Sequence, residues 1–352
     1  MAVKPTAPAK VTGVILNVDG GPMSGAQIYF QDLAGSRSAY SPETVTGPAG
    51  AFAIVLPAGR YLVYVQPPYN SGYPIAKIRE LDVRSGTGRV DYRYTGFKVT
   101  GTVTEPGGGP LGYGYANANG DSSGAHVSVA SGSFSMVLPG GTYFFSLTPP
   151  PGLGIPAVSF FNIHVASDTT LVFSLDGHAV SGTVTGPGGQ PLPGARVEAS
   201  NVHARSDAVA AANGAYVLYV PTGDYMWSVQ PGSLNSYITS RQFPQTTVAA
   251  PQTKDFDLSG VTWSGVVRRA GTGQPVPGAR VSVYGNSGYG FEIAGAGGEF
   301  MLVVNPHDVY SISASTYSPS LQGFINEMEA VNDSSFDILV SPGPPPPFFT
   351  RR

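Results

Sequence analysis

The chain reads Gly50-Ala-Phe-Ala-Ile-Val-Leu-Pro-Ala-Gly-Arg-Tyr61, and later Gly132-Ser-Phe-Ser-Met-Val-Leu-Pro-Gly-Gly-Thr-Tyr143. The phrase returns as Gly214-Ala-Tyr-Val-Leu-Tyr-Val-Pro-Thr-Gly-Asp-Tyr225. A fourth, altered version is Gly298-Glu-Phe-Met-Leu-Val-Val-Asn-Pro-His-Asp-Val-Tyr310. The opening glycines lie 82, 82 and 84 residues apart. A period this long points to four small domains, each with its own core, rather than to solenoid turns that need neighbours to cover them. Within the phrase, alternating apolar residues on either side of a Pro-x-Gly step predict a β-hairpin.

Working outward, each copy opens on an apolar-x-Gly-x-apolar strand: Val11-Thr-Gly13-Val14, Val99-Thr-Gly101-Thr-Val103, Val180-Ser-Gly182-Thr-Val184 and Trp263-Ser-Gly265-Val-Val267. A Gly/Pro turn follows, clearest in Gln190-Pro-Leu-Pro-Gly-Ala-Arg-Val197 and Gln274-Pro-Val-Pro-Gly-Ala-Arg-Val281. Proline fixes φ and glycine accepts positive φ, so this spacing predicts a tight reversal into the second strand. A closing strand alternates Tyr92/Tyr94, Phe173/Leu175, Phe256/Leu258 and Phe336/Ile338. About seven short strands per copy, with turns every 8–12 residues, is the pattern of an antiparallel β-sandwich. Phe324–Ala330 is the one stretch read as a short helical turn.

The expected fold is therefore all-β: four tandem seven-stranded sandwiches, transthyretin- or Ig-like. The boundaries are an N-terminal arm 1–10, repeats 11–96, 97–177, 178–260 and 261–340, and a Pro-rich tail 341–352. Closing strands pass through Gly96, Gly177 or Gly260 into the next copy with almost no linker. Such joints predict a stiff rod on the order of 100 Å or more.

Composition narrows the function. Charged residues are 12 % of the chain, against about 25 % in an average protein, while 41 % are hydrophobic. The 47 glycines and 32 prolines punctuate strands, and the alternation between them argues against disorder. A net charge of −3 without a basic face argues against nucleic acid as a partner. No apolar run is long enough to span a membrane, and Met1–Lys10 lacks the apolar stretch of a signal peptide. With no cysteine there is no disulfide or thiolate chemistry. A polar, weakly charged, Tyr- and Ser/Thr-rich surface fits an extracellular or cell-surface setting.

The full phrase, V-x-G-x-V…P-(L/V)-P-G-A-x-V…G-x-(F/Y)-x-h-x-(L/V)-P-x-G-x-Y with h apolar, resembles the carboxypeptidase regulatory-like domain of the transthyretin-like sandwiches. Cna-B-type surface modules are related. The third copy matches best, the fourth lacks the turn glycine, and the second lacks the Pro-Gly-Ala step. The resemblance covers residues 11–340. It implies a sandwich fold and leaves function open, because such domains serve as spacers, stalks, pilus modules and enzyme accessories.

Catalytic constellations are missing from the sequence. His126, His164, His178, His203 and His307 form no metal-binding spacing. Tyr92-Arg-Tyr-Thr95 lacks the Gly-Ser that transthyretin-like hydrolases carry, and no Gly-x-Ser-x-Gly elbow occurs. The Lys–Asn cross-link of Cna-B modules has first-strand candidates only in Lys10 and Lys98; the third copy has Lys254 in its closing strand and the fourth has no lysine. Asn117-Ala-Asn-Gly-Asp121 lacks the closing Glu of a calcium loop and is expected to be a solvated turn. No enzyme activity, metal or cofactor is expected.

Two functions remain. The first is a self-assembling fibre protomer or surface stalk, joined to further copies of itself by tails and edge strands. Its candidate subunit contact is the tail Pro344, Pro345, Pro346, Pro347, Phe348 and Phe349, a pre-stiffened polyproline arm with an aromatic end. The altered phrase around Asn305-Pro306 marks the end where that contact is expected to be specialised. The alternative is a carbohydrate-binding or adhesin module, with Tyr69, Tyr73, Tyr237 and Tyr317 in equivalent loops as sugar-stacking candidates. Asn332-Asp-Ser334 is one candidate glycosylation site.

Overall fold

The computed structural model describes residues 8–33, 42–84, 87–121, 123–317 and 319–342. Among these the chain is all-β: its elements are strands, with two short 3₁₀ turns at Pro187–Gly189 and Ser233–Asn235. It divides into two compact units. The first comprises Met1–Pro150 and Ala157–Leu175, and the second Pro151–Pro156 and Asp176–Arg352.

One pairing pattern occurs twice in each unit. In the first occurrence, the first strand Ala9–Leu16 lies between Ala51–Leu56, antiparallel, and the closing segments Thr87–Arg89 and Tyr92–Arg93, parallel. The facing sheet runs in the order Glu43–Val45, Gln27–Asp32, Gly59–Gln66, Ala76–Val83. The inward sides of both sheets bury Val11, Ile15, Phe30, Phe52, Tyr61, Val63 and Tyr94 in one cluster. In the fourth occurrence Val261–Arg269 takes the place of Ala9–Leu16, and Trp263, Phe300, Leu302, Tyr310 and Ile312 fill the core. The strands show period-2 burial, as in Ala9–Leu16, where every other residue from Ala9 is buried. So the all-β sandwich holds, with one parallel pairing per copy where a wholly antiparallel arrangement was expected.

Four local expectations are corrected. The Pro-x-Gly phrase is not a hairpin. Ala51–Leu56 pairs with Ala9–Leu16, whereas Gly59–Gln66 pairs with Gln27–Asp32 and Ala76–Val83 in the facing sheet. The turn is an arch across the sandwich, and alternating apolar residues serve it equally well because both strands then face the same core. The tyrosine that ends the phrase locks the arch. Its hydroxyl donates to the proline carbonyl four residues back, at 3.1 Å from Tyr61 to Pro57, 2.9 Å from Tyr143 to Pro139 and 3.0 Å from Tyr225 to Pro221. Phe324–Ala330 is not helical, since it lies largely in strand Leu321–Glu329. Asn117 and Asn119 are not in a turn but in strand Tyr113–Gly120, where His126 Nδ1 meets Asn117 Oδ1. The first strand also begins at Ala9, inside the expected arm.

The first-strand glycine of the first, third and fourth copies has a shared packing reason. A Cβ on Gly13 would stand 1.8 Å from Val90 O, on Gly182 2.0 Å from Lys254 O, and on Gly265 1.7 Å from Phe336 O. In these copies the closing strand breaks into two segments around a kink that presses a carbonyl onto the first strand. The next residue is an aspartate that accepts the orphaned N–H of the first strand: Asp91 from Val14 at 3.0 Å, Asp255 from Thr183 at 2.8 Å, Asp337 from Val266 at 3.2 Å. Arg89 bonds the Asp91 carboxylate and, with the Val14 N–H, outweighs burial to hold its pKa below the usual value. The second copy has Val172 at that place, and its closing strand Thr169–Ser174 runs unbroken beside Phe97–Thr104. The kinks also set the register: Ile338, not Phe336, is the partner equivalent to Tyr92 and Phe256.

Candidate functional site: docking loops between repeats

The loop that leaves the strand after the arch does not end in solvent. In the first unit, loop residues between Gly59–Gln66 and Ala76–Val83 reach the second copy. Gly72 O accepts from Val137 N at 2.8 Å, and Asn70 Oδ1 accepts from Ser128 N. Gly72 has φ 74°, and a Cβ there would stand 2.5 Å from Ser135 O, so the approach requires glycine.

The second unit contains two further instances. In Pro151–Pro156, Gly154 O accepts from Tyr219 N at 2.7 Å and Gly154 N donates to Asp207 O at 2.8 Å. Gly152 N donates to the Asp207 carboxylate, which also pairs with Arg196 at 3.0 Å. Gly154 has φ 72°, and its Cβ would lie 2.5 Å from Val217 O. In the segment before Arg241, Tyr237 O accepts from Val303 N at 2.8 Å, and Thr239 N donates to Val303 O at 2.9 Å. Ile238 and Thr239 are buried there.

The three N–H donors that meet the loops occupy one position. Val137, Tyr219 and Val303 each stand five residues after the glycine that opens the phrase, on the strand edge turned away from the first strand. The constant element is an N–H of that edge donating to a loop carbonyl, which is strand addition in miniature.

The last of these junctions is the most elaborate. The Asn305 amide oxygen accepts from Arg241 Nε at 2.8 Å and Thr239 Oγ1 at 3.2 Å, and its Nδ2 donates to Ser240 O and Ser287 Oγ, each at 3.0 Å. Its backbone N–H donates to the Tyr310 hydroxyl at 3.0 Å, replacing the tyrosine–proline lock of the other copies. Arg241 also donates to Asp257 O and Ser259 O at 2.9 and 2.7 Å, and burial pulls its pKa down. Nearby, burial works to raise the Asp308 pKa, but hydrogen bonds from Ser287, Val309 and Asn286 outweigh it and hold the carboxyl low. The altered phrase at Asn305-Pro306 therefore takes part in contact with the preceding copy, while the tail expected to meet it lies outside the described residues. No pattern marked Arg241; the paired change of Pro to Asn305 was its only trace.

The other candidate residues fall as follows. Tyr69 is exposed and 5.8 Å, ring to ring, from His126, which stacks on Tyr115 at 5.1 Å. Tyr73 packs edge-on against Tyr94 at 5.0 Å, and Tyr237 packs against the core of the fourth copy. Tyr317 is fully exposed. Lys10 and Lys98 are exposed, and the Lys254 ammonium lies 5.3 Å from the Trp227 ring, where burial lowers its pKa. Asn332 is exposed in the turn after Leu321–Glu329. Pro344, Pro345, Pro346, Pro347, Phe348 and Phe349 lie outside the described residues. Among the described residues no cluster of three metal-ligating side chains occurs, and no helix is long and apolar enough to cross a membrane.

The profile of the carboxypeptidase regulatory-like domain matches residues 179–259, the copy in which the sequence phrase is most complete. No curated protein sequence matches the chain. Among solved structures, the shaft pilin SpaA from Lactobacillus rhamnosus GG is similar at a TM-score of 0.25 and 12 % identity, covering 48 % of this chain and 97 % of its own. The TIE protein of Bacillus anthracis is similar at 0.23 and 12 %, covering 91 % and 69 %. The major pilin subunit of Bacillus cereus is similar at 0.21 and 12 %, covering 96 % and 100 %. At scores this low, nothing about the function of this chain follows from these likenesses.

Proposed function

We propose that the protein is a non-enzymatic structural protomer of an extracellular fibre or surface stalk, built from four sandwich repeats and joined to further copies of itself. The observation that supports this reading most is the recurrent docking bond. Loops that in an enzyme would line a cleft are spent here on the strand edge of the next repeat, at the same position three times. Repeats joined by such bonds transmit load, whereas repeats on free linkers only tether. The weakly charged surface and the lack of cysteine fit a protein that works outside the cell by contact rather than by chemistry. The test is assembly of the purified chain, followed by light scattering over rising concentration and by negative-stain electron microscopy. Filaments or ordered oligomers are expected. A chain that stays monomeric to millimolar concentration overturns the reading.

A further inference from the structure

In the first copy, the position that receives a docking loop elsewhere is Val55, five residues after Gly50. Its register is that of the three docking positions: Val55 faces Lys10 as Val137 faces Lys98, Tyr219 faces Ala179 and Val303 faces Thr262. The Val55 N–H and C=O therefore point to the outer edge of the sheet, and no described residue bonds them. The flanking features are also present. Val55 is 60 % exposed and Val45 58 % exposed. Val45 corresponds to Val209, which a Cβ on Gly152 would approach to 3.2 Å. Glu43, held by Gln27 at 2.7 Å, corresponds to the loop-binding Asp207 with its partner Arg196.

At the other end of the chain, the donor is missing in its usual form. The loops that dock comprise residues 67–75, 149–156 and 231–240, whereas the equivalent connection in the fourth copy is only 317–320. In its place the segment that follows Ile338–Val340 arrives. Ser341 N donates to Gln322 O and Gln322 N to Ser341 O, each at 3.0 Å. Gln322 is the second residue of the strand that the docking loops feed in the other copies. Ser341 thus stands at the corner where a docking loop would otherwise stand, and the residues that follow it lie outside the described ones from 343 on. They read Pro342-Gly-Pro-Pro-Pro-Pro-Phe-Phe-Thr-Arg-Arg352. Proline lacks an N–H, but the bond common to all three junctions needs only an accepting carbonyl from the docked segment. The docked loops are themselves proline-rich, with Pro67, Pro68 and Pro74 in the first and Pro149, Pro150, Pro151 and Pro156 in the second.

We propose that the outer edge of Ala51–Leu56, centred on Val55, accepts the Pro342–Arg352 tail of a second copy of this chain by the same N–H to carbonyl bond that joins the repeats. This rests on the self-assembly reading and names its acceptor. An edge strand left open is otherwise an aggregation hazard, and a specific donor closes it. Because donor and acceptor sit on different parts of the chain, the contact is head-to-tail and each addition leaves a new acceptor free.

The test uses the chain ended after Pro342 and a synthetic peptide of residues 342–352, with binding read by calorimetry or fluorescence anisotropy. The peptide is expected to bind the truncated chain, and Val55→Pro to weaken binding by about tenfold or more, since it removes the one N–H of the common bond. Proline is tolerated where a strand N–H faces outward. In case it disturbs the fold, a second measurement uses Val55→Cys in one chain and Pro345→Cys in another. The native chain has no cysteine, so a mixed disulfide reports that contact alone. No peptide binding and no specific mixed disulfide overturns the proposal. So does tail-dependent assembly that Val55→Pro leaves unchanged, while the self-assembly reading survives. Peptide binding without assembly of the full chain has the opposite meaning: the edge is right and the fibre reading is wrong.

Discussion

Asn305 and Gly182 show how little side chain is needed to decide a contact in this protein. Asn305 uses both ends of its amide and its backbone N–H on five partners, so nothing shorter or differently branched replaces it. Gly182 matters for what it lacks. A methyl there would sit 2.0 Å from Lys254 O, and Tyr216 already donates to that carbonyl at 2.6 Å. Gly182→Ala is expected to destabilise the second unit by about 3 kcal/mol or more, because the first and closing strands must separate to admit it. Urea titration followed by Trp227 and Trp263 fluorescence checks this; a shift within error of wild type counts against the close-approach argument. The Gly in each first strand was legible as a pattern. Its cause was not, because the opposing carbonyl lies about 70 residues away in sequence and the aspartate that follows it carries no local signal.

At the scale of elements, strands were legible and their partners were not. Period-2 alternation places Phe52–Leu56 and Tyr61–Val65 correctly as strands, but a hairpin and an arch demand the same alternation. Only the ladder partners separate them. The docking loops were legible as proline- and tyrosine-rich connections, yet composition did not reveal that they bond to the next repeat. Gly154 is the element-scale test. Its positive φ alone costs an alanine about 1–2 kcal/mol, and Val217 O blocks the Cβ as well. Gly154→Ala is expected to speed hydrogen exchange at the Tyr219 amide by about tenfold while core amides such as Leu218 keep their protection. Equal acceleration throughout the copy would mean that the loop is part of the core rather than a docked arm.

For the whole molecule, repetition was the most legible property and clustering the least. Four phrases predict four copies, whereas compactness divides the chain into two units. One feature of the pattern bears on what such a chain does under tension. In every copy the first and closing strands are parallel neighbours, and the backbone enters at the start of one and leaves from the end of the other. Force applied through the backbone therefore pulls the two strands along each other. Their hydrogen bonds are loaded in shear and must fail together, where an antiparallel pair pulled from one end would unzip singly. The unbroken ladder between Phe97–Thr104 and Thr169–Ser174 joins six residue pairs, against the divided ladders of the other copies. Stretching single chains by force spectroscopy is expected to rupture that copy last and at the highest force. Were it to yield first, the kinked, aspartate-capped closing strands would be the stronger mechanical clamp, and the aspartates would be its rivets.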